Sequence, residues 1–312
     1  GYMLYFIVNE KSKSGNAKQI WKDIEEVLKV RNVSYQVFVS EYRGHAGKLA
    51  GEICAMDDDD ICLVAVGGDG TANEVINGIT DFEKVRFGVI PTGSGNDLAR
   101  GLALSKDPKN GIVHILNAMK KTREDTWCMD LGEVIFGDEK RLFAISSGIG
   151  LDALVCKKAL KSTIKDILNK IRLGKLTYLV LTVQSLFTMQ TADMEIVFDK
   201  EESIQKKRMI FTAAMNFKAE GGGVPMAPAA SACDGKLSFC EAAGIPKWRT
   251  FLCLPFLVAA KHTSIHGFSV TDAKDCTIHL SRPMVVHADG EYCGEVAEVH
   301  FRCLPGKLCV LK

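Results

Sequence analysis

A parallel α/β domain followed by a mostly antiparallel, β-rich domain is the fold class this sequence predicts, and three observations predict it. Apolar strand-like runs alternate with helix-like segments over the first third of the chain, the pattern of a parallel sheet with helices on both faces. After about residue 125 the chain turns to strand-like runs of period-two character separated by turn glycines, as antiparallel sheets read. The length, 312 residues, exceeds what one hydrophobic core usually supports. Domains are therefore expected at 1–125 and 126–312, with the last residues able to pack back on the first domain.

The elements follow in order. Strand 3–8 is an apolar run ending at Asn9, and helix 17–30 follows it; strand 33–39 leads to helix 46–55, strand 61–66 to helix 72–79, and strand 86–90 to helix 97–102. The segments after three of these strands, 9–15, 67–73 and 91–96, are rich in Gly, Ser, Thr or Asn. In such sheets ligands bind at the carboxyl ends of the strands, so these segments should converge on one edge. In the second half, strands are expected at 194–198, 209–214, 237–240, 277–280 and 296–301, interrupted by helices at 166–187 and 247–262. The run Asp57-Asp58-Asp59-Asp60 reads as a solvated loop, because consecutive carboxylates without spacing do not form a cage for a cation.

Composition excludes several classes. Hydrophobic content of 47% with 25% charged residues is ordinary for a globular protein, and a formal net charge of +1 without a basic tail gives no field for nucleic acid. The eleven cysteines are odd in number and scattered, and none has Cys-x-x-Cys spacing; they read as free thiols of a reducing cytosol. The apolar start at 2–8 is too short for a signal peptide, and the longest apolar stretch, 251–260, contains Pro255 and is too short to span a bilayer.

The segment "AVGGDGTANEV" at 65–75 carries the chemistry. Gly67, Gly68 and Gly70 permit positive φ and close backbone approach, and Thr71 and Asn73 open a helix whose free N–H groups attract anions. Together these make a phosphate cradle, although a tight βα turn can require glycine for packing alone. Asp69 would repel phosphate unless a divalent cation lies between them. The sequence holds no G-x-x-x-x-G-K-[ST], and Gly148-Ile149-Gly150 lacks the third glycine of a dinucleotide fingerprint.

"GGDGTANEVINGI" followed by "IPTGSGNDLAR" resembles the catalytic domain of the diacylglycerol kinase and sphingosine kinase family, in its soluble bacterial lipid kinase branch. The Gly-Gly-Asp-Gly turn is also similar to that of NAD kinases and phosphofructokinases. The resemblance extends through "SSGIGLDA" at 146–153, "EGGGVPMAPAASACDGKL" at 220–237 and "ADGE" at 288–291. It implies an NAD kinase-like or phosphofructokinase-like first domain and an ATP- and Mg²⁺-dependent kinase acting on a lipid alcohol, most simply diacylglycerol giving phosphatidic acid.

Residue by residue, the resemblance implies that Gly67, Gly68, Asp69, Gly70, Thr71 and Asn73 hold ATP phosphates, with Asp69 on catalytic Mg²⁺ directly or through water. Asn9, Ser12, Ser14, Gly15, Ser40 and Ser94 would contact the nucleotide, and Asp97 and Asp130 would organise metal and water. Glu291 would be the general base, within about 2.6–3.2 Å of the lipid hydroxyl, with the two domains facing each other across a cleft. A structural Mg²⁺ would sit at the Asp234-Gly235 turn, on Asp234 and backbone oxygens near Ser231 and Lys236. The chain departs from the family pattern at Glu10, where proline is usual, and at Ile145, where asparagine is common.

Taken without the resemblance, Glu291 is an acid beside an Asp-Gly hairpin turn. A membrane lipid is the expected partner, through peripheral association at the inner face of the membrane from the cytoplasm; a homodimer is compatible with the resemblance. The apolar stretches 173–187 and 251–260 suit either an acyl-chain cavity with a membrane-facing lip or core packing. His262 and His266 have i, i+4 spacing but no nearby acid or cysteine, so they read as polar residues around a helix end. Two alternatives to the lipid kinase are a kinase of NAD or another soluble substrate, and a non-catalytic lipid or nucleotide sensor. Because the Gly67–Asn73 loop is expected to be exposed, Asp69→Ala is expected to spare the fold.

Overall fold

The chain folds into two units, residues 1–129 with 306–312, and residues 130–305. The structure, a computed structural model, describes residues 3–11, 16–93, 95–161 and 174–312.

In the first unit, strands β1 (Met3–Val8), β2 (Tyr35–Val39), β3 (Ile61–Gly67) and β4 (Val85–Pro91) form a parallel sheet in the order β2-β1-β3-β4. β3 is buried throughout, as a strand covered on both faces must be. Helices α1 (Ala17–Val30), α2 (His45–Cys54), α3 (Asp69–Gly78), α4 (Asp97–Gly101) and α5 (Pro108–Met119) connect or follow the strands. α1 and α5 cover one side, where Ile24, Leu28, Ile112 and Ile115 join Leu4, Phe6 and Val64 in one core. The sequence reading omitted α5, although Asp107 caps it by accepting the Lys109 N–H at 3.0 Å and Pro108 occupies its first turn.

The aspartate run is not wholly solvated. Asp60 receives Arg86 Nε and Nη2 at 3.2 and 3.1 Å, and Asp58 receives the Tyr5 hydroxyl at 2.6 Å. Arg86 is completely buried, and an unpaired buried guanidinium would be costly, so the sheet end needs Asp60.

The second unit is mostly antiparallel. Its strands are β5 (Cys128–Phe136), β6 (Glu139–Phe143), β7 (Ser146–Gly150), β8 (Ala192–Phe198), β9 (Ile204–Met215), β10 (Leu237–Ala243), β11 (Phe268–Ala273), β12 (Asp275–Ala288) and β13 (Glu291–Val310), the first two residues of β5 and the end of β13 from Gly306 on belonging to the first unit. The order β11-β10-β9-β7-β12-β13 runs through antiparallel pairs. Phe211, Phe239, Phe301, Ile278 and Leu186 lie in one core. Helix α6 (Leu151–Lys161) follows β7, and helices Gly174–Thr188 and Lys247–Val258 correspond to the two expected interruptions. The part of the first interruption at 166–173 lies outside the described residues. The second ends at Val258, earlier than expected, and His262 is fully buried with Nε2 2.8 Å from the Met226 carbonyl oxygen. That histidine follows the helix end, as expected, and is a bonded core residue. All eleven cysteines are free thiols.

Candidate active site

The strand order β2-β1-β3-β4 puts a switch point between β1 and β3, because the connections leaving these strands turn to opposite sides and open a crevice at their carboxyl ends. Residues singled out in the sequence meet there. The Asn9 N–H donates to the Val66 carbonyl at 2.9 Å, and its Nδ2–H donates to Thr71 Oγ1 at 3.1 Å. The Ser40 N–H donates to the Val8 carbonyl at 2.8 Å, and the Thr92 N–H to the Gly67 carbonyl at 3.0 Å. Loops leaving all four strands are thus tied to one edge.

The glycine turn differs in detail from its sequence reading. None of Gly67, Gly68 and Gly70 adopts a positive φ; close approach is what excludes larger side chains. A Cβ on Gly67 would lie 2.7 Å from Thr71 Cβ and Oγ1. Helix α3 begins at Asp69, three residues before the expected start, with Gly68 at its N-cap in an extended conformation. Thr71 and Asn73 consequently fall inside the helix and are buried. The backbone N–H groups of this first turn still form the anion-attracting end of α3.

Asp69 caps a second helix. Its Oδ2 accepts the Asp97 N–H at 2.8 Å and its Oδ1 the Leu98 N–H at 3.2 Å, the two amides that open α4. Burial raises the Asp69 carboxyl above its usual range, against the lowering effect of those two bonds and of Arg100. Asp97 pairs with Arg100 at 2.7 Å, and Arg100 also donates to the Gly95 carbonyl. Ser12, Ser14, Gly15 and Ser94 lie outside the described residues.

In the second unit, Asp130 is buried and binds the 231–235 turn. Its N–H donates to the Ala232 carbonyl at 2.7 Å, and its Oδ2 accepts the Gly235 N–H at 2.8 Å. Asp234 is exposed, and its Oδ1 accepts the Lys236 N–H at 3.0 Å. The Ser231 hydroxyl accepts the Cys233 N–H at 3.2 Å. Glu291 opens β13 opposite Ala288, directly after the two-residue turn Asp289-Gly290. Both turn residues have positive φ, 50° and 84°, as a type I′ hairpin requires. Asp289 fixes this turn by accepting the N–H groups of Ala144, Ile145 and Ser146 at 2.8, 2.7 and 3.1 Å.

Sequence reasoning missed a buried cluster beside that turn. Asp152 from α6, Glu220 from the loop after β9 and His287 from β12 bring their ligand atoms within 4.8 Å of one another. His287 Nε2 lies 2.9 Å from Asp152 Oδ2 and 3.7 Å from Glu220 Oε2, and the Ser146 hydroxyl donates to Glu220. Gly148 makes this possible, because a Cβ there would sit 2.0 Å from Asp152 Oδ2. Gly290 donates its N–H to Nδ1 of the neutral His287 ring at 3.1 Å, the tautomer whose single proton is on Nε2 and faces Asp152. Burial, then the Asp152 carboxylate, push Glu220 up to about 8. For His287, burial opposes protonation, but the neighbouring carboxylates outweigh it and raise it to about 9; taking up that second proton costs the Gly290 bond.

An apolar cavity of about 290 Å³ ends at two of these acids, with walls that include Val155, Leu179, Leu254, Leu257 and Phe268. The helices Gly174–Thr188 and Lys247–Val258 supply much of this wall, and they also expose Leu179, Val180, Phe187, Phe251, Leu252 and Phe256. Among the described residues, no helix is long and apolar enough to cross a membrane.

Residues 3–129 match the model of the diacylglycerol kinase catalytic domain, and residues 146–312 match the YegS C-terminal NAD kinase beta sandwich-like domain. The chain belongs to the diacylglycerol kinase-like lipid kinase family. It is 28% identical over 93% of its length to the Bacillus subtilis (strain 168) protein named "Putative lipid kinase YtlR", covering 93% of that protein. It is 26% identical over 80% of its length to a Mycobacterium tuberculosis diacylglycerol kinase, covering 76% of it. A Bacillus anthracis diacylglycerol kinase structure superposes with a TM-score of 0.69 at 17% identity, covering 99% of this chain and 96% of that one. An Archaeoglobus fulgidus NAD kinase solved with ATP superposes at 0.55 and 14% identity, covering 99% of this chain and 94% of that one. The fold is thus the expected one, and the family is one of phosphotransferases.

The Mg²⁺ that such a kinase implies fits the donor set. Mg²⁺ takes one or two carboxylates and completes its shell with water and phosphate oxygens. Each Asp69 oxygen accepts one N–H and keeps a lone pair for that role. At the 231–236 turn the exposed Asp234 carboxylate is an oxygen donor of the kind such hard cations take.

Proposed function

We propose that this chain transfers the γ-phosphoryl group of ATP to the hydroxyl of a lipid alcohol, with diacylglycerol, converted to phosphatidic acid, as the acceptor. The observation that carries the lipid reading is the apolar cavity ending at Asp152 and Glu220. A kinase of a soluble dinucleotide has no need of such walls, and an acyl chain does.

In this reading the α3 N-terminus and the Gly67–Asp69 backbone hold the phosphates, and Asn9 and Ser40 border the nucleotide, as would Ser12, Ser14, Gly15 and Ser94. Asp69 binds the metal and through its two amide bonds sets the start of α4, Asp97 adds a second carboxylate at that helix, and Asp130 holds the 231–235 turn of its own unit. Bound Mg²⁺ neutralises charge on the transferring phosphoryl group. Asp234 with backbone oxygens near Ser231 and Lys236 holds a second, structural cation that ties the turn. Glu291 takes the proton from the acceptor hydroxyl. The exposed apolar side chains of the two cavity helices rest at the membrane surface, where the acceptor is found.

The test is phosphoryl transfer by the purified protein from labelled ATP with Mg²⁺, to diacylglycerol in mixed vesicles and, separately, to NAD. A labelled, chloroform-soluble product supports the reading. Labelling of NAD with none in the lipid phase overturns it in favour of a soluble-substrate kinase.

A further inference from the structure

The hairpin that carries Glu291 is held by more than its own two strands. The ladder between β7 and β12 ends at Ser147 and Ala288. Beyond it the Asp289 carboxylate takes over, its Oδ2 accepting the Ala144 N–H and its Oδ1 the N–H groups of Ile145 and Ser146. The Asp289 N–H donates in return to the Ser146 carbonyl at 2.8 Å. The segment it grips is fixed from the other side as well. The Ile145 carbonyl accepts the N–H groups of Asn216 and Phe217 at 2.9 and 3.2 Å, and the Ala144 carbonyl accepts Asn216 Nδ2–H at 2.8 Å. Every backbone N–H and carbonyl of 144–146 is therefore bonded, and all three residues are buried. Asn216, itself fully buried, is anchored by donating to the Asp130 carbonyl at 2.8 Å. At the second turn residue, the Gly290 N–H donates to His287 Nδ1. Both residues of the tip are thus tied down before Glu291 begins.

Turn chemistry does not account for this carboxylate. A type I′ turn needs a residue that tolerates positive φ, and asparagine serves there as well as aspartate. Three amides converging on one side chain need something more: an acceptor with two oxygens and no donor, which a carboxylate is and a carboxamide is not. Bonds to an ionised acceptor are also the stronger kind. We propose that Asp289 is a positioning residue for the reaction and acts through Glu291: its grip on 144–146 sets the backbone from which the base departs. The inference rests on the assignment of Glu291 as the base given above. Catalytic geometry tolerates little displacement, since a misplacement of about 1 Å can cost roughly 10²-fold in rate. A two-residue tip shifts that far easily unless something outside its own strands holds it. The same clamp explains why Ile145 can stand where asparagine is common in the family. Only its amide and carbonyl take part, and its side chain is buried.

The experiment is a double-mutant cycle on the intact protein. Asp289→Asn and Glu291→Gln are assayed singly and together, with saturating ATP and Mg²⁺ and diacylglycerol in mixed vesicles, well below the melting temperature. Asparagine keeps the turn and one acceptor oxygen but presents an N–H₂ to the Ala144 amide. Asp289→Asn is expected to lower kcat by roughly 10- to 100-fold with the KM for ATP little changed. In the Glu291→Gln background the same change is expected to cost less than about threefold, because a residue that works only through the base has nothing left to act on. Equal losses in the two backgrounds identify a merely structural role and overturn the proposal, as does an unaltered kcat in Asp289→Asn. In either case an impaired Glu291→Gln leaves the base assignment standing. Full turnover in Glu291→Gln removes that assignment and this role with it, and a wild-type protein that phosphorylates no lipid overturns the kinase reading and this role together. Hydrogen exchange decides where Asp289→Asn does not fold. The amides of Ala144, Ile145 and Ser146 are expected to be strongly protected in the wild-type protein; exchange at unprotected rates shows that no carboxylate is bound there and overturns the proposal.

Discussion

Replacing Asp69 affects stability as well as chemistry, which reverses the expectation drawn from the loop sequence. The carboxylate is mostly buried and accepts both amides that open α4, at 2.8 and 3.2 Å. Hydrogen bonds to a charged acceptor contribute about 1.5–3 kcal/mol each. The cost of burying the charge and the access of water to the freed amides reduce the sum, so Asp69→Ala is expected to lose about 2–4 kcal/mol. Asp69→Asn keeps one acceptor oxygen and presents an N–H₂ to the other amide, so it is expected to lose about half as much. The assay is urea unfolding followed by circular dichroism, with hydrogen exchange at the Asp97 and Leu98 amides and phosphoryl transfer measured on the same samples. Exchange at those two amides rises in both variants while transfer is lost. Unchanged unfolding midpoint and amide protection in Asp69→Ala would refute the capping role, and near-normal transfer would refute the metal role.

Three further outcomes are expected. Glu291→Gln lowers turnover by about 10²–10⁴-fold with little change in nucleotide affinity; loss of ATP binding in a titration would reassign the residue. Asp234→Ala lowers the melting temperature in Mg²⁺ but not in chelator, and identical melting shifts in both would remove the structural cation. Glu220 is raised from an ordinary 4.5 to about 8, so the folded state keeps a proton that the unfolded chain releases. Stability should therefore fall as pH rises from about 5 to 8, with His287 acting in the same direction up to about 9. Glu220→Gln should flatten the lower part of that curve in urea titrations, and an unchanged slope would contradict the assignment.

The sequence made the first unit largely legible because its information is local. β1 and α1 fall at the expected residues, since an apolar run and a helical pattern are each read within one short window. The start of α3 was misplaced because the helix is entered through Gly68 and Asp69, residues that read as turn. The Asp152, Glu220 and His287 cluster was invisible for the opposite reason. Its members lie on α6, a glycine loop and β12, and only the pairing of β12 with β7 brings His287 opposite Gly148. One signal was present: two glycines immediately before Leu151-Asp152, of which Gly148 is explained by the room a carboxylate needs. β6, five residues long and entered through a two-residue turn, left too little periodicity to read.

The end of β13 has a consequence for how the molecule is made. Cys309 and Val310 pair with Arg86 and Phe87 of β4, and the separation between Cys309 and Arg86 is 309 − 86 = 223 residues. Contacts of such range are closed late, because the intervening chain must be ordered before they are rewarded. During synthesis, therefore, the first unit emerges whole except for one margin, and β4 presents unpaired amides and carbonyls until residues 309 and 310 arrive. Exposed margins of this kind recruit other chains. A variant shortened at the C-terminus by seven residues is accordingly expected to aggregate while it is being made, although every residue of the Gly67–Asn73 turn is intact.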